Sequence, residues 1–237
     1  MIISGKNSVF EAIKSGTTIN KISILKQGKG FEQVIELAKQ NKIRFEFVDK
    51  AVLDKKSGFH QGIVAEIVDF DYSSVEDILQ VAQSREEDAF VLILDGIEDP
   101  HNFGAIIRSA ECAGVHGIII LKNRQIPVND TVVKTSAGAI ANMKIARVTN
   151  LNQTIDFLKD KGLWIYACEA KGESIYKTNL KGPVAIIIGS EGFGISALTL
   201  KKADAVVSLP LYGKVNSLNA SVACGISLYE VLRQRNN

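Results

Sequence analysis

Three short runs constrain this chain more than anything else in it. Phe90-Val91-Leu92-Ile93-Leu94, Gly117-Ile118-Ile119-Ile120-Leu121 and Val184-Ala185-Ile186-Ile187-Ile188 hold no polar side chain. A strand with one wet face alternates apolar and polar residues; one that is apolar throughout is covered on both faces. Helical spans lie between and beyond them: Gly104 to Ala113 (stopped by Gly114), Thr131 to Gly138, Leu151 to Lys161, Ile195 to Lys202, and a long final helix from Ser217 to Arg233. Further strands are predicted at Ile145 to Val148, Leu163 to Cys168 and Ala205 to Ser208. Strands alternating with helices in this way predict an α/β fold, a parallel sheet with helices on both faces.

A smaller α/β unit precedes it. Strands are expected at Ile19 to Leu25, Ile43 to Val48 and Gly62 to Val68, with a helix at Phe31 to Gln40 and a helical turn at Lys50 to Lys55. The polar stretch Asp69-Phe70-Asp71-Tyr72 closes that unit. Ser73 with Glu76 has capping-box spacing and predicts a helix to about Gln83, ended by the charged Ser84 to Asp88. The expected division is residues 1–72, a helical linker at 73–88, and a second domain at 89–237.

With 237 residues, 46% of them apolar and 23% charged, the chain can bury a sizeable core and is not globally disordered. A net charge of +2 leaves any nucleic-acid contact to a local patch. Cys112, Cys168 and Cys224 are odd in number and widely spaced, so reduced, mostly buried thiols in a cytoplasmic protein are expected, with no zinc or disulfide framework. No apolar run approaches the length of a membrane span, and the first residues lack the apolar core of a signal peptide.

Ligands of an open α/β sheet sit beyond the carboxyl ends of its strands. Three loops there are rich in glycine and polar residues: 95–104, 189–194 and 209–219. No GxxxxGK[ST] phosphate loop is present. Gly189-Ser190-Glu191-Gly192-Phe193-Gly194 is spaced GxxGxG and comes late, which argues against a dinucleotide-dependent oxidoreductase.

Together the three loops carry more. The first reads Asp99-Pro100-His101-Asn102-Phe103-Gly104, then Arg108; the second Gly189-Ser190-Glu191-Gly192-Phe193-Gly194; the third Leu209-Pro210, then Ser217-Leu218-Asn219-Ala220-Ser221-Val222-Ala223. This ordered set resembles the DPxNxGxxxR, GxEGxG and [IL]P…SLNxSVA motifs of the SpoU (TrmH-like) branch of the SPOUT methyltransferases. Gly5-Lys6-Asn7-Ser8-Val9-Phe10-Glu11-Ala12 and His60-Gln61-Gly62-Ile63-Val64-Ala65 look like the L30e-type substrate-binding domain of that family's ribosomal-RNA members, and the nearest likeness is to its RlmB-like group.

The resemblance implies a deep trefoil knot in the second domain, S-adenosyl-L-methionine as cofactor, and methylation of a ribose 2′-hydroxyl, in the RlmB-like group on a guanosine of 23S rRNA. It implies catalytic roles for Asn102, Arg108, Glu191, Ser217 and Asn219, and cofactor contacts by Gly189, Leu209 and Leu218. The residues themselves also admit plainer roles: core packing for Leu209 and Leu218, helix capping for Asn102, Ser217 and Asn219, a solvated turn acid for Glu191. Arg108 is either the base or, because a guanidinium stays protonated, a stabiliser of the developing alkoxide or a grip on phosphate.

The implied partners are RNA and a second copy of the chain, joined through the knotted domain with Arg108 acting across the interface; neither membrane nor DNA is implied. Candidate RNA ligands are Lys6, Lys26, Lys29, Arg124 and Lys214, each otherwise an ordinary solvated charge. A tRNA ribose methyltransferase and a noncatalytic RNA-binding or ribosome-assembly protein are the competing readings.

Overall fold

The computed structural model describes residues 2–15, 17–67 and 70–236. The chain divides into two compact units, Met1–Asp71 with Pro127–Asp130, and Tyr72–Ile126 with Thr131–Asn237.

The first unit holds β1 (Ile2–Ser4), α1 (Lys6–Ser15), β2 (Ile19–Leu25), α2 (Glu32–Gln40), β3 (Phe45–Val48), α3 (Lys50–Lys56) and β4 (Ile63–Ile67). Its sheet runs β1-β4-β2-β3, with β2 and β3 parallel and β4 antiparallel to both of its neighbours. Val9, Ile13, Ile22, Ile24, Val34 and Ile63 form its core. Neither β1 nor α1 is expected from the sequence pattern: β1 has only three residues, too few for a period to show. Val68, the expected end of β4, lies outside the described residues.

The second unit holds α4 (Val75–Ser84), β5 (Phe90–Asp95), α5 (Pro100–Cys112), β6 (Gly117–Leu121), α6 (Asp130–Thr135), β7 (Lys144–Val148), α7 (Leu151–Asp160), β8 (Trp164–Ser174), β9 (Val184–Gly189), α8 (Ala197–Lys202), β10 (Ala205–Ser208) and α9 (Ala220–Arg235). Its six strands are all parallel, in the order β10-β8-β9-β5-β6-β7. The apolar runs explain it. Val91, Ile93, Ile119, Ala185 and Ile187 bury one face against Ile78, Leu151, Ile155 and Leu158 of α4 and α7. The alternate residues Leu92, Leu94, Ile118, Ile120 and Ile186 are equally buried. Phe103, Ile106 and Ile107 of α5 and Leu228 and Val231 of α9 are buried as well, and α5 packs against α9. Each such side chain contributes roughly 1.5–3 kcal/mol by leaving water.

Several boundaries differ from expectation for definable reasons. The segment expected as a linker is packed into this unit: a Cβ on Gly117 would come 2.4 Å from Ile78, so α4 lies directly on β6. Its capping box uses Ser74 and Asp77 rather than Ser73 and Glu76, because Ser73 is taken up in a bridge to Ala146. Helix α5 begins at Pro100: Asp99 caps it, accepting from the Asn102 backbone N–H at 2.9 Å. Proline at the first helical position needs no donor, so Asp99-Pro100 is a helix start and Asn102 is not its cap. Strand β8 runs on to Ser174, with its pairing to β10 broken between Val206 and Val207. Of the cysteines, Cys224 is buried, Cys168 half-buried and Cys112 exposed. Among the described residues no helix is long and apolar enough to cross a membrane, and no group of three His, Cys, Asp or Glu could hold a metal.

Candidate functional site

All six strands of the second unit point the same way, so the loops after β5, β9 and β10 leave one end of the sheet. The pairing Asp95↔Gly189 sets the first two loops side by side. The second is a tight hairpin. Ser190 and Gly194 exchange backbone hydrogen bonds at 3.1 and 2.9 Å, and a Cβ on Gly189 would lie 2.2 Å from the Gly194 carbonyl carbon. Glycine at 189 is therefore a requirement of the hairpin. Asp95 accepts from Ser196 N–H at 2.9 Å and Glu169 from Ile195 N–H at 2.7 Å, which anchors the far side of the loop.

The third loop ends at Asn219, the cap of α9. Its Oδ1 accepts from the backbone of Ser221 at 2.9 Å and of Val222 at 3.3 Å, and from the Ser221 hydroxyl at 2.6 Å. That fixes the amide's orientation, so Nδ2 turns the other way. It donates to Asn102 Oδ1 at 3.0 Å and to Glu191 Oε1 at 3.1 Å. Asn102 Nδ2 donates to the same Glu191 oxygen. One residue from each motif loop thus closes a hydrogen-bonded triangle.

Two pockets share the wall Ser190-Glu191-Gly192. The larger, about 450 Å³, is lined by Gly189, Glu191, Leu209, Ser217, Leu218 and Ala220 among others, and by no lysine or arginine. The smaller, about 200 Å³, is lined by Gly96 to Asp99, Asn102 and Phe193. Leu209 is half-buried and Leu218 exposed, so both face the pocket instead of vanishing into the core. Ser217 lies in the loop before α9 and does not cap it. Cys168 also lines the larger pocket, with its Sγ 3.4 Å from Ser227 Oγ; burial pushes its thiol up. The sequence marks neither Cys168 nor Glu169 as a pocket residue, because both lie within β8 and outside the three glycine-rich loops.

Arg108 stands apart. It is exposed on α5, lines neither pocket, and makes no hydrogen bond or ion pair among the described residues. Six residues of helix separate it from Asn102, roughly 9 Å along the axis and about 120° around it. Arg124 is exposed in a loop that packs on the first motif: its carbonyl lies 3.5 Å from where a Gly96 Cβ would be.

Comparison with known proteins places this architecture. Residues 89–229 match the SpoU rRNA Methylase family, and residues 2–73 match the RNA 2′-O ribose methyltransferase substrate binding family. The chain therefore belongs to the SpoU methylase family and is an RNA methyltransferase, with its substrate-binding domain first. It is 43% identical over 239 residues to YacO of Bacillus subtilis, assigned to the TrmH family of tRNA/rRNA methyltransferases; the match covers 99% of this chain and 96% of YacO. Among solved structures it is similar to the SpoU methyltransferase AviRb of Streptomyces viridochromogenes, solved with its cofactor AdoMet (TM-score 0.65, 23% identity, 100% of this chain and 91% of that one). It is also similar to an RNA 2′-O ribose methyltransferase (TM-score 0.58, 26% identity, 100% and 89%).

The methyl donor is S-adenosylmethionine. The larger pocket suits it. At about 450 Å³ it lies within the range of roughly 300–1,000 Å³ usual for small-molecule sites. Leucines and alanines offer an apolar slot for an adenine, and Glu169 and Glu191 favour a cationic sulfonium, with no cation in the lining to oppose it.

Proposed function

We propose that this chain methylates the ribose 2′-hydroxyl of a guanosine in large-subunit (23S) rRNA, acting in the cytoplasm as a homodimer joined through its second domain. The observation that carries this reading is the Asn102–Glu191–Asn219 triangle on the wall between two pockets. Gly189, Leu209 and Leu218 hold the cofactor in the larger pocket; the target ribose enters the smaller. Bound S-adenosylmethionine supplies a methyl group on a sulfonium.

The chain's own task is to orient the hydroxyl and accommodate the loss of its proton. Glu191 Oε1 is held by two amide donors, which leaves Oε2 to accept from the 2′-hydroxyl, align its lone pair and take its proton as the methyl group passes to oxygen and the sulfonium becomes a thioether. Ser217, on the same rim, is a second polar contact. Arg108 stabilises the developing alkoxide or the adjoining phosphate, since a guanidinium holds its proton. Its position supports action in the partner's site: it lines neither pocket of its own chain and lies about 120° around α5 from Asn102. Val222 and Tyr229, seven residues apart on α9, expose an apolar stripe suited to a second copy.

The test is transfer of labelled methyl from S-adenosylmethionine to unmodified large-subunit rRNA and, in parallel, to tRNA, with products mapped by resistance to alkaline cleavage. A single resistant rRNA guanosine, lost in Arg108→Ala, is expected. Label on tRNA alone overturns the rRNA assignment, and cofactor binding without transfer to either RNA overturns the catalytic one.

A further inference from the structure

We propose that Phe59, at one end of the first unit's sheet, is a stacking platform for an unpaired base of the substrate RNA. The inference rests on the reading above and adds to it a residue and a form of RNA.

Phe59 is 92% exposed, and the residues that follow it are held in place. His60, beside it, is buried. Its Nδ1 accepts from Gly62 N–H at 2.9 Å, so Nε2 carries the proton and donates to Asp54 Oδ1 at 2.9 Å. Gln61 and Gly62 both take positive φ, 49° and 82°. A Cβ on Gly62 would come 2.9 Å from the Phe31 ring. His60 and Gly62 thus hold the turn, and Phe59 is left with no internal role.

The same end of the sheet carries Lys6, Lys29 and Lys26, the last with its Nζ 3.2 Å from Asp49. Gly5 N–H donates to Ile63 O at 3.2 Å, and Leu25 N–H to Gly62 O at 2.9 Å, so the segments at Lys6 and Lys26 flank the Phe59 loop. Lys6 Nζ lies 3.4 Å from where a Gly30 Cβ would be, next to exposed Lys29. An exposed ring on an anchored turn, flanked by lysines, suits RNA whose bases are unstacked: the ring takes a base face and the ammonium groups take phosphates. A duplex offers no free base face to such a ring.

The experiment measures binding of the full chain to a loop-containing fragment of unmodified large-subunit rRNA and to a fully paired duplex, with methyl transfer read in the same samples. Phe59→Ala is expected to weaken binding to the loop fragment and raise its KM by roughly tenfold or more. Duplex affinity, cofactor affinity and kcat at saturating RNA should be unchanged, and Phe59→Trp should restore binding. Equal affinity of Phe59→Ala and wild type for the loop fragment overturns the platform, as does a fall in kcat at unchanged KM. Wild-type binding without transfer to any RNA would fell the catalytic reading alone, because the affinity ratio still judges Phe59.

Discussion

Asn219 Nδ2 donates to Asn102 Oδ1 at 3.0 Å across 117 residues of sequence, while Asn219 Oδ1 caps α9. One side chain therefore serves both folding and the site, and the two roles separate by substitution. Asn219→Asp keeps a capping oxygen, so stability should stay within about 0.5 kcal/mol of wild type. It removes the donor and sets a carboxylate against Glu191, so methyl transfer should fall by about 100-fold or more. Asn219→Ala loses both functions and should also cost about 1 kcal/mol of stability. Denaturant unfolding beside transfer rates checks the contrast.

Gly189→Ala tests the hairpin. The added methyl would sit 2.2 Å from the Gly194 carbonyl carbon and 2.4 Å from Ile195 N, both backbone, so the loop has to open. A stability loss of roughly 1–3 kcal/mol is expected, with cofactor affinity reduced about tenfold or more because the wall of the larger pocket moves. Calorimetric titration with S-adenosylmethionine reads this directly. Unchanged affinity would remove Gly189 from the cofactor site.

Most of the parallel sheet was legible because Phe90–Leu94, Gly117–Leu121 and Val184–Ile188 are apolar throughout, and only a doubly covered sheet uses such strands. Of the motif positions, Asn102, Glu191 and Asn219 meet in the fold, while Arg108 stands apart from them. What bonds to what was not legible. Asn219 as a cap follows from local sequence, but its Nδ2 turning to Asn102 depends on α9 packing against α5, a long-range fact. The N-terminus of α5 was misplaced by four residues because Gly104 drew the boundary, whereas Asp99-Pro100 set it. Gly104 is needed instead for close packing: a Cβ there would lie 2.5 Å from Thr135 Cβ. Phe59 left no periodic signal, since a single exposed residue in a turn has none.

His116 should make the fold sensitive to acid. Its Nδ1 accepts from Phe90 N–H and its Nε2 contacts Glu87, both at 2.9 Å, at the start of β5. Burial holds the imidazole below its usual 6.5, outweighing the pull of Glu87. A depressed folded pKa means that the unfolded chain binds the proton first. The stability is thus complete above about pH 6.5 and is lost as pH falls toward the folded value. Urea unfolding between pH 8 and 5 should show this slope, and His116→Gln should flatten it. An unchanged slope in the variant would assign the acid sensitivity elsewhere.

Arg108 provides the sharpest test of assembly. It is exposed and makes no internal bond among the described residues, so Arg108→Ala should leave stability within about 0.5 kcal/mol and cofactor affinity intact. Transfer should fall about 100-fold or more. Mixing Arg108→Ala chains with Glu191→Ala chains then decides whose site the arginine serves. If it reaches the partner's pocket, a mixed dimer has one complete site: an intact Glu191 on the first chain and an intact Arg108 on the second. Random re-pairing makes half the dimers mixed, so about a quarter of the wild-type rate returns from two inactive proteins. If Arg108 serves its own chain, every site in every dimer lacks one group, and mixing recovers nothing.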